Sequence, residues 1–371
     1  MVVGALCELI RKFSSPTKLP MSPSELIFHK KIARGAFGAV YLATDQAGTK
    51  YAVKRTRKFG MKRSRELINL GLCKDAENVM QYLGTFYTRN HNGTIMQNSL
   101  FEHVPYSLRA FIRYLKHRQL VQHAAMQNGG KHMMVRLPPE NAPTHDVLNG
   151  ILELHDRGLV HRDLKPDNIL IDDDRRPSIA KVCDLGSAKK INRLCLTNTS
   201  EMDLKQTPST PYVCSRWYRA PELLFGRTYY TVGPIQLHTQ CLAFGCMCAE
   251  MLLLRPLFAS NDESDARQVI TLIEILGSPS RAEMKKLLDA SPSDAIRKQL
   301  EMLFQMIHSK GSLRNILTTI AKGNPRLMAV ANVAYNLLRW CPEDRISLQD
   351  AQKMLNTGRR EGIENTNIRR R

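Results

Sequence analysis

The stretch His161-Arg162-Asp163-Leu164-Lys165-Pro166-Asp167-Asn168 carries the reading on which the rest of this sequence turns. It sets a carboxylate at Asp163, an ammonium two positions on at Lys165 and a carboxamide five positions on at Asn168. Such a set can take up a hydroxyl proton, neutralise an anionic group in transfer and hold a metal ion. Downstream, Asp184-Leu185-Gly186 adds a carboxylate suited to Mg²⁺. Upstream lies Ile32-Ala33-Arg34-Gly35-Ala36-Phe37-Gly38-Ala39-Val40, a glycine turn between apolar residues. Glycines there let backbone N–H groups approach phosphates closely, although glycine turns alone are common in hairpins. Tyr51-Ala52-Val53-Lys54 ends an apolar strand on a lysine sixteen residues after Gly38, within reach of α- and β-phosphates. Glu66, on the helix that follows, is placed to pair with Lys54.

These five motifs, in this order, resemble the protein-kinase family, and the resemblance runs from about Leu26 to Leu355. It implies an α+β, bilobal protein-kinase fold with a small β-rich N-lobe and a larger helical C-lobe. The expected division is a flexible arm at 1–24, the N-lobe at 25–104, the C-lobe at 105–358 and a basic tail at 359–371. The resemblance also implies ATP and Mg²⁺ as cofactors and protein substrates. Asp163, Lys165, Lys54 and Glu66 would be catalytic, and Asn168 and Asp184 would hold the metal. The nucleotide would lie against Ile32, Gly35, Phe37, Gly38, Val40, Ala52, Lys54, Phe101, Glu102, Val104, Leu170 and Cys183. Phe101 would guard the back of the adenine pocket, and adenine would bond to backbone near Glu102 and Val104. Lys165 matches serine/threonine rather than tyrosine kinases. Ala220-Pro221-Glu222 closes an activation segment, and Arg345 of Trp340-Cys341-Pro342-Glu343-Asp344-Arg345 would pair with Glu222.

Tyr218-Arg219-Ala220-Pro221-Glu222 and Leu276-Gly277-Ser278-Pro279-Ser280 resemble the group of cyclin-dependent, mitogen-activated and glycogen synthase kinases. Three further features resemble glycogen synthase kinase-3, the shaggy family. They are Cys183-Asp184-Leu185-Gly186-Ser187-Ala188-Lys189, Cys214-Ser215-Arg216-Trp217-Tyr218 with Glu222-Leu223-Leu224-Phe225-Gly226, and the gap between Lys54 and Glu66. That resemblance implies a pocket of Arg65, Arg162 and Lys189 for a phosphate already present on the substrate. Guanidinium forks bind phosphate bidentately, and a third cation adds Coulomb attraction. It also implies scaffold proteins as partners on the C-lobe. Thr210-Pro211-Tyr212 leaves an alternative open, a Thr-x-Tyr-activated mitogen-activated-like kinase whose own phosphate fills that pocket.

Three positions depart from the family pattern. Ala33 replaces the first glycine of the phosphate loop, and Leu185 replaces a phenylalanine. Between Thr231 and Gly245 the family has an aspartate that braces the catalytic loop; aligning back from Gly245 puts Gln240 there. A carboxamide accepts a hydrogen bond but brings no charge. Gln240 and Ala33 motivate a second alternative, a pseudokinase scaffold.

Of 371 residues, 54 are Lys or Arg and 34 are Asp or Glu, a net charge of +20, with 43% hydrophobic residues. The composition excludes global disorder, and the length fits two domains or one bilobal unit. The charge clusters between Lys54 and Arg65 and at Arg369-Arg370-Arg371. It suits acidic or phosphorylated proteins better than nucleic acid, for which no binding motif is present. No apolar run is long enough to span a membrane. Nine cysteines without a Cys-x-x-Cys spacing indicate a reducing compartment. A cytoplasmic location, with nuclear access through the basic runs, is the expectation. Periodicity predicts helices at 63–72, 108–115, 147–155, 242–254, 266–276, 295–307, 327–339 and 348–355, and an inserted loop at 122–143.

Overall fold

The computed structural model describes residues 23–35, 38–60, 64–127, 143–172, 179–190, 215–225, 234–262, 264–291 and 293–368. Strands β1 (Ile27–Gly35), β2 (Gly38–Thr44), β3 (Lys50–Arg57), β4 (Tyr82–Arg89) and β5 (Ile95–Glu102) form an antiparallel sheet in the order β1-β2-β3-β5-β4. The β2–β3 turn is closed by Gly48 N–H to Asp45 O at 3.1 Å, with Gly48 at φ 82°. Alternation along β3 buries Tyr51 and Val53 on one face, where they join Leu26, Ala43, Phe86 and Leu100 in a small core. Ala52 and Lys54 therefore fall on the opposite face, toward the cleft. Helix α1 (Arg65–Leu72) is capped by Ser64, whose hydroxyl accepts from Leu67 N–H, and buries Leu67 and Leu70.

The larger lobe holds α2 (Leu108–Gln127), α3 (Thr144–Asp156), α4 (Pro234–Leu253), α5 (Asp265–Leu276), α6 (Arg281–Asp289), α7 (Asp294–Met306), α8 (Leu313–Ala321), α9 (Pro325–Leu337) and α10 (Leu348–Ile368). Helix α4 runs through its centre, buried from Thr239 to Leu252. At Gly245 a Cβ would stand 2.9 Å from the Leu337 side chain, so glycine sets how closely α4 and α9 approach. The fold is α+β and bilobal, a β-sheet lobe and a helical lobe, as the motifs implied.

Several element boundaries differ from the sequence expectation, three of them widely; helix α4, expected at 242–254, already begins at Pro234. Helix α2 continues to Gln127, into the stretch expected to be a loop. Ala124, Ala125, Met126 and Gln127 are good helix formers, and the first breakers are Gly129 and Gly130. Helix α10, expected at 348–355, runs on to Ile368, into the stretch 359–371 expected to be a basic tail. Gly358 is a packing residue rather than a stop: a Cβ there would lie 2.3 Å from that of Ala329 on α9.

Candidate active site

The catalytic loop is strung between β7 (Leu159–Val160) and β8 (Ile169–Asp172); β8 lies between β6 (Tyr106–Ser107) and β9 (Ile179–Val182), and β9 delivers Asp184 beside the loop. Lys54 Nζ donates to Glu66 Oε1 at 2.6 Å and to Asp184 Oδ1 at 2.9 Å, so one ammonium joins β3, α1 and the metal motif. Burial alone would lower the Lys54 pKa, but Glu66 and Asp184 outweigh it and hold the pKa above the ordinary lysine value. For Asp184 burial acts upward, and the Lys54 ammonium overrides it and keeps the carboxyl below its usual range. Asn69, buried on α1, donates to Leu185 O at 3.3 Å and Ala188 O at 3.1 Å, pinning the segment after Asp184. Asp184 itself has φ 60° and Arg162 has φ 67°. Such left-handed geometry costs about 1–3 kcal/mol and persists only where surrounding contacts impose it.

Around Asp163 the hydrogen bonds are dense. Oδ2 accepts from Lys165 Nζ at 2.8 Å and Asn168 Nδ2 at 3.2 Å; Oδ1 accepts from Ser215 N–H and Oγ, both at 3.2 Å. Lys165 Nζ also donates to Ser215 Oγ at 2.9 Å. Asn168 Nδ2 donates again to Asp163 O at 2.7 Å, which turns its amide oxygen the other way. That oxygen and the half-exposed Asp184 carboxylate are hard donors of the kind Mg²⁺ prefers. Two protein ligands suit an ion that is otherwise held by phosphates and water.

The loop is braced from within. His161 Nε2 donates to Cys183 O at 2.8 Å, and its Nδ1 accepts from Asp163 N–H at 3.2 Å. Its backbone N–H donates to Gln240 Oε1 at 3.0 Å, so Gln240 stands where the family aspartate was expected and accepts the bond as a carboxamide can. Arg345 closes the other end: Nη1 and Nη2 donate to Glu222 Oε1 and Oε2 at 2.8 and 2.7 Å. Its remaining N–H groups reach the carbonyls of His238, Trp340 and Arg339.

A cleft of about 1130 Å³ lies between the lobes. Ile32, Gly35, Gly38, Val40, Ala52, Lys54, Phe101, Val104, Leu170 and Cys183 line it, together with Asp163, Lys165, Asn168 and Asp184. Gly38 is forced to be glycine, since a Cβ would sit 2.1 Å from Arg55 O. Ala33 lies opposite Val40 in ordinary pairing, beside a register shift between Lys31 and Ala33 that bends β1, so its methyl is accommodated. Leu185 is fully buried. The Glu102 carboxylate accepts from Lys181 Nζ at 2.7 Å and Gln81 N–H at 2.9 Å, and Glu102 is absent from the cleft lining. Burial pushes the Cys183 thiol up to about 12, so it lines the pocket as an inert, protonated group. Phe37, Thr210 and Tyr212 lie outside the described residues.

Strand β10 (Lys189–Lys190) pairs with β7 and sets Lys189 opposite Val160, two residues before Arg162, where the charges of Arg162 and Arg65 act on it. Burial lowers the Lys189 pKa, and the charges of Arg162 and Arg65 lower it further. Sequence reasoning missed several supporting residues. Arg109 on α2 donates to Asp167 Oδ2 at 3.2 Å, to Tyr218 Oη at 2.7 Å and to the buried Glu250, tying α2 and α4 to the catalytic loop. Asn69 left one signal, a polar side chain on the buried face of an amphipathic helix. Ser215 had none beyond its place in a family string.

The buried histidines make stability pH-dependent. Burial lowers the pKa of His145, His155, His161 and His238, with His155 brought to about 4. The unfolded chain, near 6.5, takes up these protons first, so stability is full above pH 6.5 and is lost as pH falls toward the folded values. His155 alone should remove about 2 kcal/mol between pH 7 and pH 5. Urea unfolding at both pH values checks this, and His155→Gln should shrink the drop.

The protein kinase domain model matches residues 26–356. The probable serine/threonine-protein kinase glkA of Dictyostelium discoideum is 33% identical over 270 residues, 73% of this chain and 48% of its own. The serine/threonine-protein kinase RIM11/MSD1 of Saccharomyces cerevisiae is 32% identical over 273 residues, 72% of this chain and 64% of its own. Protein kinase gsk3 of Schizosaccharomyces pombe is 31% identical over 260 residues, 70% of this chain and 58% of its own. The chain thus spans about half to two thirds of the length of these relatives. With its lobes, cleft and catalytic loop arranged as described, the chain belongs to the protein kinase family.

Proposed function

We propose that this protein is an active serine/threonine kinase of the glycogen synthase kinase-3 type, using ATP with Mg²⁺ and favouring protein substrates that already carry a phosphate. The observation that carries the activity is the Asp163 carboxylate, held by Lys165, Asn168 and Ser215 and facing a cleft that also holds Lys54 and Asp184. As the substrate oxygen forms its bond to the γ-phosphorus, the bond to the β–γ bridging oxygen breaks and ADP leaves. Asp163 takes the hydroxyl proton, and Lys165 offsets charge on the group in transfer. Lys54, held by Glu66, is placed to steady the α- and β-phosphates. Mg²⁺, when bound by Asn168 and Asp184, neutralises charge on the phosphates.

The preference for a primed substrate is supported by the charges of Arg162 and Arg65 acting on Lys189. Three cations this close repel one another, and a phosphate would relieve the repulsion. The test is a radiolabelled ATP assay with two peptides, Ser-x-x-x-phosphoserine and the same sequence without phosphate. The phosphopeptide should be labelled far better, and Arg65→Ala should remove that preference selectively. Equal labelling of both peptides would favour a pocket filled in cis by phosphorylated Thr210. No labelling of either would favour the scaffold.

A further inference from the structure

We propose that His155 is a positioning residue: by accepting a hydrogen bond from the Gln240 side chain, it fixes which end of that carboxamide faces the catalytic loop. One donor at this site has a fixed identity. The backbone N–H of His161 can only donate, and the Gln240 side-chain atom 3.0 Å from it must therefore be the oxygen. The amide nitrogen is then the atom 2.9 Å from His155 Nε2. An amide NH₂ can only donate, so Nε2 must carry a lone pair and His155 must be neutral with its proton on Nδ1. The surroundings agree: Gln240 is 2% exposed, His155 9% and His161 0%. Burial also holds the His155 pKa near 4, so the ring remains an acceptor at neutral pH.

A carboxylate at position 240 would accept at either oxygen and would need no such selection. A carboxamide has one accepting and one donating end, and reversed it would set an N–H against the N–H of His161. In a buried site that mismatch leaves two donors unsatisfied. The polarity therefore runs in one direction, from Gln240 to His155 and from His161 to Gln240. It continues through the His161 ring, which donates to Cys183 O and accepts from Asp163 N–H. Both neighbours of that ring matter: Asp163 is the candidate base, and Cys183 precedes the metal-motif aspartate. A residue on α3 thus acts on the site through α4, without touching substrate or nucleotide.

The kinetic part of the test rests on the phosphoryl-transfer reading; the spectroscopic part does not. In the full chain, His155→Leu should lower kcat roughly tenfold, with the KM for ATP changed by less than about twofold. His155→Gln, whose amide oxygen can still accept, should recover most of the loss. Gln240→Met removes both ends of the brace. Adding His155→Leu to it should cost little more, because both changes delete one pathway. Independent, multiplicative losses, or no loss in His155→Leu, would overturn the proposal. Should His155→Leu fail to fold, the unmodified protein still decides the matter. ¹⁵N-labelled histidine spectra at neutral pH should show His155 protonated on Nδ1 and bare on Nε2, and a proton on Nε2 would overturn it. Absence of phosphoryl transfer in the unmodified protein, with that tautomer present, would sink the activity reading and leave the brace standing.

Discussion

Asp163→Asn is expected to lower kcat by about 10²–10⁴ while the protein stays folded and nucleotide affinity changes little. The substitution keeps the size of the side chain and removes its capacity to take a proton. It also turns one oxygen, which now accepts two hydrogen bonds, into an NH₂. If that NH₂ replaces Oδ2 it meets Lys165 Nζ and Asn168 Nδ2, and if it replaces Oδ1 it meets the donors of Ser215. Either way donors oppose donors, so the loss of the base is compounded by a loosened loop. The proposed nucleotide contacts come from other residues lining the cleft, Lys54 and the apolar walls Val40, Ala52 and Leu170. Single-turnover phosphorylation and nucleotide titration of the variant separate the two effects. A variant with near-full rate would remove Asp163 from the mechanism.

Arg345→Met is expected to destabilise the protein by about 3–5 kcal/mol, the usual cost of stranding one partner of a buried ion pair. Glu222 and Arg345 are 1% and 0% exposed at their side chains, and all five guanidinium N–H groups have acceptors. Removing the arginine leaves a carboxylate in the core together with three backbone carbonyls that lose their donor. The double variant Glu222→Met with Arg345→Met should recover much of the stability, since the stranded charge goes with its partner. Activity should fall in both, because Glu222 ends the segment that delivers Ser215 to Asp163. Denaturant unfolding of the single and double variants is the measurement. A cost below about 1 kcal/mol in the single variant would show that the pair contributes little.

Much of the site was legible because its chemistry is local in sequence. His161 to Asn168 holds the proposed base, the ammonium and one proposed metal ligand within eight residues, and the period of β3 sets Lys54 on the cleft face. The Glu66 and Arg345 pairings followed from family positions, and the distances agree with them. What escaped was assembled from distant segments. The Arg109, Glu250, Tyr218 and Asp167 cluster joins four parts of the chain, and no periodicity announces it. Two helices, α6 and α8, were also not anticipated. Helix α6 carried a local signal, a capping box at its N-terminus in which Ser280 Oγ accepts from Glu283 N–H and the Glu283 carboxylate accepts from Ser280 N–H. Glu102, expected to offer its backbone to adenine, has a further role that only the folded chain shows: its carboxylate is committed to Lys181 and Gln81.

The second turn of α4 bears on how the molecule opens. His238 O is held by Arg345, and two residues later the Gln240 side chain holds the amide of His161. That turn anchors both the catalytic loop and the end of the activation segment. Neither can lift into solvent by itself without straining the anchor of the other, which makes them a single subglobal opening unit. The protected amides of the two regions should therefore exchange with solvent deuterium through one shared event, at a free energy close to that of the core of the large lobe. Opening motions of the cleft are then expected to fall to segments outside this anchor, with the floor of the site moving as one piece.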